Sequence, residues 1–229
     1  MNIHGLMKMT LLDYPGLVAC TVFLGGCDMR CPFCHNAELL DAGAPKLLDD
    51  EELLRFLSTR HGLLDGVVFT GGEPLLRKEL PDLMSKIKEM GFKVKLDTNG
   101  NHPERLQEVV ESGLVDYVAM DIKNSPDKYA ETIGLPSFDL SKIKKSVSFL
   151  LSGKVPYEFR TTVVKQFHDE DSMRKIASWI DGAERYYLQS FVDRDTVPVR
   201  GLEACSEAQM HAFLDILKPH IKEVGLRGI

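Results

Sequence analysis

The sequence contains no stretch of about 18 apolar residues, so we expect no membrane-spanning helix. Its N-terminus lacks the continuous apolar core and the small-residue cleavage site of a secretory signal, and we expect a cytoplasmic protein. An excess of basic residues is also missing: 34 Asp and Glu outnumber 28 Lys and Arg, and the net charge is −6. Broad binding to nucleic acid requires clustered Lys and Arg and is therefore not expected.

Cysteine is scarce and unsuited to a disulfide framework. The chain contains five cysteines, an odd number, and three of them, Cys27, Cys31 and Cys34, fall within a short segment. A secreted disulfide scaffold spreads its cysteines along the chain and pairs them. The triplet therefore indicates a metal centre in a cytosolic protein, whereas the isolated Cys20 and Cys205 are interpreted as ordinary small side chains.

Repeats, low-complexity tracts and linkers rich in Pro, Gly or Ser are absent as well, so residues 1–229 are predicted to form a single domain. Within it, short β-rich runs alternate with amphipathic stretches. The predicted strands are Val18–Leu24, Gly66–Thr70, Lys93–Asp97, Tyr117–Asp121, Tyr157–Val164, Arg185–Gln189 and a short Glu223–Leu226. The predicted helices are Asp49–Arg60, Arg77–Met90, Pro103–Ser112, Leu140–Leu151, Glu170–Ile180 and Ser206–Leu217.

Six strand–helix alternations predict an α/β fold with parallel strands joined by right-handed crossovers. The count is compatible with an open doubly wound sheet and with a partial barrel, and periodicity does not separate the two. In both architectures ligands bind at the carboxyl ends of the parallel strands. Four successive predicted strands end in a polar or glycine-rich cluster, which we expect on one rim: Cys27–Cys34, Gly71–Pro74, Asp97–Gly100 and Asp121–Lys123.

The three clustered cysteines have the spacing Cys-x3-Cys-x2-Cys. A structural zinc site needs four protein ligands, and His35, adjacent to Cys34, is poorly placed to be the fourth. A fully protein-ligated iron–sulfur cluster is likewise one cysteine short. Three thiolates would leave one iron of a 4Fe–4S cluster free to bind a cofactor or substrate. A zinc knuckle and three reduced bystander cysteines are the alternative interpretations.

This spacing, with the aromatic Phe33 directly before the third cysteine, resembles the signature of the radical S-adenosylmethionine (SAM) superfamily. The resemblance implies a partial (β/α)6 barrel, one 4Fe–4S cluster on Cys27, Cys31 and Cys34, and SAM bound to the free iron. Reductive cleavage of SAM would then give methionine and a 5′-deoxyadenosyl radical that abstracts hydrogen from the substrate. Because the cofactors carry this chemistry, no further catalytic residue is predicted.

The segment Gly71-Gly72-Glu73-Pro74 resembles the GGEP motif of the same superfamily. Two glycines let the backbone approach a ligand closely, and the exposed backbone groups can bind it. The resemblance implies that these four residues bind SAM. A plain turn is the alternative interpretation.

Two further segments, Asp97-Thr98-Asn99-Gly100 and Asp121-Ile122-Lys123, resemble those of glycyl-radical-enzyme activases. The resemblance implies that Asp97, Thr98, Asn99 and Asp121 lie beside SAM. It also implies that Asp97, Thr98 and Asp121 contribute to a monovalent cation site. Oxygen ligands suit such hard cations. Lys123 would neutralise the carboxylate of SAM. A solvent-exposed turn and a surface ion pair are the alternatives.

Arg160 lies in a predicted strand, where a charge inside a barrel needs an anionic partner. SAM or a substrate carboxylate would supply that partner, and exposure to solvent is the alternative. Gln189, near the end of the sixth predicted strand, is a candidate cofactor ligand of the same kind.

The segment Leu11–Gly16 and the sequence Cys34-His35-Asn36 extend the resemblance to activases, in particular to activating proteins of anaerobic ribonucleoside-triphosphate reductase. Pyruvate formate-lyase activators usually carry Asp-Gly-Pro-Gly with an Arg two positions further on. In this chain Tyr14 replaces the first glycine of that motif, and Val18 stands in the place of the Arg. No cysteine occurs between Cys34 and Gly71, so a module with extra clusters is not expected there.

The expected reaction is hydrogen abstraction from a glycine of a large partner, anaerobic ribonucleotide reductase, to form a glycyl radical. The resemblance implies an electron donor such as flavodoxin or ferredoxin. An activator of a pyruvate formate-lyase type enzyme and a radical SAM enzyme acting on a small molecule, such as a deazaguanine synthase, are the alternatives. A zinc- or cluster-binding interaction module is the non-enzymatic one.

Overall fold

A computed structural model, which describes residues 1–228, shows ten strands and seven α-helices in that part of the chain. The strands are β1 (Asn2–Ile3), β2 (Gly5–Thr10), β3 (Ala19–Leu24), β4 (Leu48–Asp49), β5 (Gly66–Gly71), β6 (Lys93–Thr98), β7 (Tyr117–Asp121), β8 (Tyr157–Val163), β9 (Arg185–Ser190) and β10 (Glu223–Arg227). The helices are α1 (Asp50–Ser58), α2 (Leu80–Glu89), α3 (Pro103–Glu111), α4 (Tyr129–Thr132), α5 (Ser141–Leu151), α6 (Glu170–Trp179) and α7 (Glu207–Leu217).

Eight strands form one sheet in the order β10-β9-β8-β7-β6-β5-β3-β2, and every neighbouring pair except β2–β3 is parallel. The order follows the chain, so each crossover advances the sheet in the same direction. A doubly wound sheet would reverse direction part-way. The predicted partial barrel is confirmed, with the antiparallel β2 added at one edge and β10 at the other.

Contacts between distant strands show how far the sheet curls. His35, after β3, has its Nε2 atom 2.8 Å from the carbonyl oxygen of Val192, after β9, and its ring stacks on Phe191 with 5.5 Å between centroids. The rings of Tyr14, before β3, and Tyr117, on β7, lie 6.1 Å apart. The loops at the carboxyl ends of β3 and β9 therefore meet around a common centre.

The two faces of the sheet differ in polarity. Residues such as Phe69, Leu96 and Phe159 point outward and are fully buried against the helices. Their neighbours at the alternate positions, such as Glu158 and Arg160 on β8, point into the barrel. The inner face of the sheet therefore carries charged side chains, whereas the outer face is apolar.

Four of these elements were not predicted from the sequence: β2, the two strands of the short antiparallel pair β1–β4, and α4. Met7, Lys8 and Met9 are consecutive exposed residues in β2, so this strand lacks the alternation of a half-buried strand. Helix α2 begins at Leu80 rather than Arg77 because a 3₁₀ turn, Pro74–Leu76, precedes it and Arg77 has an extended backbone. None of the helices in residues 1–228 has the length and apolar character needed to cross a bilayer.

Candidate functional site

The carboxyl ends of the parallel strands surround a cavity whose empty space amounts to about 960 Å³, part of it open to solvent. It is lined by Cys27, Met29, Cys31, Phe33, Cys34, His35, Asn36, Leu40, Thr70, Gly71, Gly72, Asp97, Thr98, Asn99, Asp121, Lys123, Arg160, Thr162 and Gln189. Every site residue predicted from the sequence is in this set except Glu73 and Pro74. The four predicted clusters therefore do share one rim.

The loop that carries the cysteines is held by its backbone to other loops. The N–H of Gly26 donates to the carbonyl of Leu39 at 2.7 Å, and the N–H of Arg30 donates to that of Ile133 at 2.9 Å. Burial of Met29, which is 1% exposed, anchors the middle of the loop. The three cysteines are thus presented to the cavity by a fixed backbone.

The chemistry of the thiols suits iron. Burial raises the pKa of Cys27 to about 11 and also raises that of Cys31, so binding of a metal by these thiols is expected to release protons. The Sγ atom of Cys27 accepts from the N–H of Met29 at 3.5 Å and lies 3.9 Å from Nδ2 of Asn99. Within residues 1–228 no three Cys, His, Asp or Glu side chains converge on one ion position. Three thiols around a shared cavity, with N–H donors near a sulfur, fit an iron–sulfur cluster.

The two glycines after β5 lie against the cysteine loop. A Cβ atom on Gly72 would fall 2.1 Å from the carbonyl oxygen of Gly26, and Gly71 has a φ of +114°. Asn36 Nδ2 donates to the Gly71 carbonyl at 3.1 Å. The double glycine therefore lets two loops pack backbone to backbone at the cavity wall.

Glu73 lies behind this wall. Its side chain is fully buried and accepts from the N–H of Asn99 at 2.7 Å, the hydroxyl of Thr98 at 2.9 Å and the N–H of Leu75 at 3.0 Å. Desolvation raises the pKa of Glu73 to about 7 despite these donors. Glu73 thus joins the end of β5 to the end of β6, and the buried Pro74 begins the next turn. Neither residue lines the cavity in this structure, and the contact with SAM expected for both stays a prediction.

A buried charge network crosses the cavity floor. Arg160 donates to Asp97 at 3.1 Å and to Asp121 at 3.0 Å, and Lys123 Nζ lies 2.9 Å from Asp121. Burial would raise the pKa of Asp121, but Lys123 and Arg160 outweigh it and hold the pKa at about 2. The anionic partners of Arg160 are thus carboxylates of the chain itself. Lys95, which sequence reasoning missed, pairs with Asp97 from the same strand.

The sequence model of the radical SAM superfamily matches residues 21–180, which include all three clustered cysteines, the double glycine and the charge network. The chain belongs to the radical SAM superfamily. Membership implies a 4Fe–4S cluster and SAM as cofactors.

Known proteins resemble this radical SAM chain along most of its length. A Methanocaldococcus jannaschii protein, provisionally named a glycyl-radical enzyme activating enzyme, is 31% identical over 99% of this chain and 96% of its own. Pyruvate formate-lyase 1-activating enzyme of Escherichia coli is 29% identical over 74% of this chain and 70% of its own. The crystal structure of Streptococcus suis SuiB bound to S-adenosylmethionine has 12% identity and a TM-score of 0.70, and covers 91% of this chain and 52% of that one. This last likeness shows the fold.

A second residue of the radical SAM site, after Lys95, was not predicted from the sequence because its partners are distant in the chain. Asp28, between the first two clustered cysteines, accepts from Asn99 at 2.8 Å and Asn101 at 2.6 Å, and pairs with His102 at 2.9 Å. The only signal in the sequence is that two polar residues, Asn101 and His102, follow the Asp97–Gly100 motif. Asp28 thereby ties the cysteine loop to the loop after β6.

Proposed function

We propose that the chain is a glycyl-radical-enzyme activating enzyme that removes hydrogen from a glycine of a large partner, and that the partner is an anaerobic ribonucleoside-triphosphate reductase. The observation that carries this proposal is the 31% identity to the M. jannaschii protein, which extends over 99% of the chain. The similarity to an activator of pyruvate formate-lyase supports the same activity. Tyr14, in place of the glycine usual in pyruvate formate-lyase activators, favours the reductase as partner.

In this proposal Cys27, Cys31 and Cys34 hold the cluster. When bound, the cluster and SAM supply the electron and the radical that abstract hydrogen. The backbone of Gly71 and Gly72 and the ammonium of Lys123 hold SAM, with Lys123 against its carboxylate. The proposed site contains no monovalent cation, because the carboxylates expected to bind one already pair with cationic side chains.

Asp97, Thr98, Asn99, Asp121 and Arg160 form the floor beneath SAM in this proposal. Further residues, Phe33 and Gln189, line the remaining wall of the cavity. Phe33 is 4% exposed and packs against Phe167, with 5.7 Å between the ring centroids. Its apolar ring would exclude water beside the cluster.

The open barrel supports a macromolecular substrate. The sheet ends in two edge strands, β2 and β10, that are not paired with each other. A glycine loop of the partner would enter through this gap and exclude water once seated. We also propose that residues 1–229 act as one catalytic domain in the cytoplasm, whose reducing conditions suit five free cysteines, with flavodoxin or ferredoxin as electron donor.

The test is anaerobic reconstitution with iron and sulfide, followed by dithionite, SAM and the reductase from the same organism. The expected result is a glycyl-radical electron paramagnetic resonance doublet on the reductase, together with 5′-deoxyadenosine. A reductase with its radical-site glycine replaced by alanine is the control. A doublet on pyruvate formate-lyase alone would transfer the proposal to that partner. Substrate-dependent 5′-deoxyadenosine from a small molecule, with no protein radical, would overturn it.

A further inference from the structure

The carboxylate of Asp97 already has a cationic partner on each oxygen. Its Oδ1 atom lies 2.5 Å from Nζ of Lys95, and its Oδ2 atom lies 3.1 Å from Nη1 of Arg160. The side chains of Asp97 and Arg160 are each 13% exposed, and that of Lys95 is 1% exposed. These pairs are therefore shielded from the solvent that would weaken them.

The other two oxygen donors expected at a monovalent cation site are engaged as well. Asp121 accepts from Arg160 through Oδ1 at 3.0 Å and from Lys123 through Oδ2 at 2.9 Å. The hydroxyl of Thr98 donates to Glu73 at 2.9 Å, and its oxygen accepts from the N–H of Gly100 at 3.1 Å. The donor set implied by the family resemblance therefore does not fit a bound Na⁺ or K⁺.

The charge balance points the same way. Two carboxylates, Asp97 and Asp121, face three cations, Lys95, Arg160 and Lys123, so the group carries one net positive charge. Cation sites in proteins collect oxygen ligands with negative charge. A metal ion placed here would meet a group that already carries a net positive charge and would compete with its ammonium and guanidinium groups for the carboxylate oxygens.

Lys95 is placed to take over the role of such an ion. It stands two residues before Asp97 on β6, so both side chains are on the inner face. Asp97 lines the cavity, whereas Lys95 lies behind it and leaves the space for the cofactor free. Lys93, the next residue of that face, is exposed and pairs with Asp116 instead.

We propose that Lys95 is a built-in substitute for the monovalent cation: its ammonium neutralises and orients Asp97, and SAM binds to this chain without Na⁺ or K⁺. The inference depends on the assignment of the cavity to SAM. It does not depend on the glycyl radical partner, because SAM binding is measured without one.

The test measures the Kd of SAM for the anaerobically reconstituted protein by equilibrium dialysis. Tetramethylammonium chloride is compared with KCl and NaCl at one ionic strength of about 0.1 M. For the wild type we expect the Kd to change by less than about twofold between these salts. For Lys95→Met in tetramethylammonium we expect a Kd at least about tenfold higher, because Asp97 loses a buried partner. KCl or NaCl is expected to reverse that loss.

Lys95→Arg keeps the charge and is expected to bind SAM independently of the salt. Lys93→Met is the matched control on the same strand and is expected to behave as wild type. Tenfold tighter binding of SAM by the wild type in KCl or NaCl would overturn the proposal, and this arm needs no variant to fold. Unchanged, salt-independent binding by Lys95→Met would overturn it too.

Discussion

Asp28 and His102 connect two loops of the site: Oδ2 of Asp28 lies 2.9 Å from Nε2 of His102, although 74 positions separate them in the chain. His102 immediately precedes α3, and Asp28 lies within the cysteine loop. The position of the cysteines therefore depends on the loop after β6 as well as on their own backbone. Hydrogen bonds made by residues next to the ligands of a metal centre orient those ligands.

Replacing Asp28 by Asn is expected to lower both the stability and the iron content of the reconstituted protein. One charged acceptor serves Asn99, Asn101 and His102, and an amide cannot accept from all three. We expect a loss of about 1–3 kcal/mol in the free energy of unfolding of the iron-free protein, measured in urea. Asp82→Asn, on the exposed side of α2, is the control. Equal stability and iron content in the two variants would contradict the bracing role.

Glu73 predicts a pH dependence of stability. Its pKa is raised from 4.5 to about 7, so the folded protein binds the proton more tightly than the unfolded chain does. The stabilisation is complete below about pH 4.5 and is lost as the pH rises through about 7. Urea unfolding of the iron-free protein between pH 5 and pH 8 should show this decline, on the order of 2 kcal/mol. Glu73→Gln should flatten it, and an undiminished slope in this variant would assign the decline to other groups.

Gly72→Ala is expected to separate the double-glycine loop from the cysteine loop. The added methyl group would stand 2.1 Å from the backbone oxygen of Gly26, which has no rotamer to move away. We expect a loss of about 2 kcal/mol or more in stability and a fall in bound iron. Gly43→Ala is the matched control, since its new methyl group would meet only the Asp41 side chain at 3.4 Å. Iron content equal to that of the control would refute the predicted clash.

Glu158 and Arg227 form an ion pair beneath the cavity. Both oxygens of the buried Glu158 accept from Arg227, at 2.8 and 2.9 Å, and Tyr117 donates to one of them at 3.1 Å. Arg227→Met would leave the carboxylate buried without its cation, and we expect a loss of about 2–4 kcal/mol in unfolding free energy.

The double variant Glu158→Gln/Arg227→Met removes the stranded charge and should recover part of that stability. Arg185→Met, which breaks an exposed pair with Glu223, is the control and should cost less than about 1 kcal/mol. If the losses of Glu158→Gln and Arg227→Met added in the double variant, with no recovery of stability, the two residues would not be coupled.

The cysteines separate into two classes with different expected effects. Cys31→Ala should abolish retention of the cluster, measured as iron per chain and as absorbance of the reconstituted protein. Cys20 is fully buried in β3 on the helix-facing side, so Cys20→Ala should cost about 1 kcal/mol of stability and leave the iron content unchanged. Retention of a full cluster by Cys31→Ala would remove that residue from the ligand set.

The parallel strands were predictable because each is a short buried run bounded by turns. The predicted β7 has the observed bounds, Tyr117–Asp121, and each of the other predicted strands differs from the observed one by a single residue. Helix α4 has four residues and is too short to show a period. Six strand–helix alternations are compatible with an open doubly wound sheet and with a partial barrel, and only the strand order distinguishes the two.

The site divides along a similar line. Residues inside local motifs, such as Cys27 and Asp121, were placed at the cavity in advance, Cys27 from the cysteine spacing and Asp121 from the family resemblance. Asp28 and Lys95 were not, because their roles come from contacts made only after the strands assemble. For Glu73 the motif was recognised in the sequence, but the complete burial of its side chain was not predictable, because burial results from packing between loops.

The edge strand β2 has a consequence for how the protein behaves alone. Its outer side leaves backbone hydrogen-bonding groups free beside the exposed Met7 and Met9, which is the kind of surface that recruits strands from other molecules. Two features limit such self-association: the charge of Lys8 and the break in register between Met7 and Thr10. The edge of the barrel thus carries two features that oppose the pairing of β2 with a second copy of the chain.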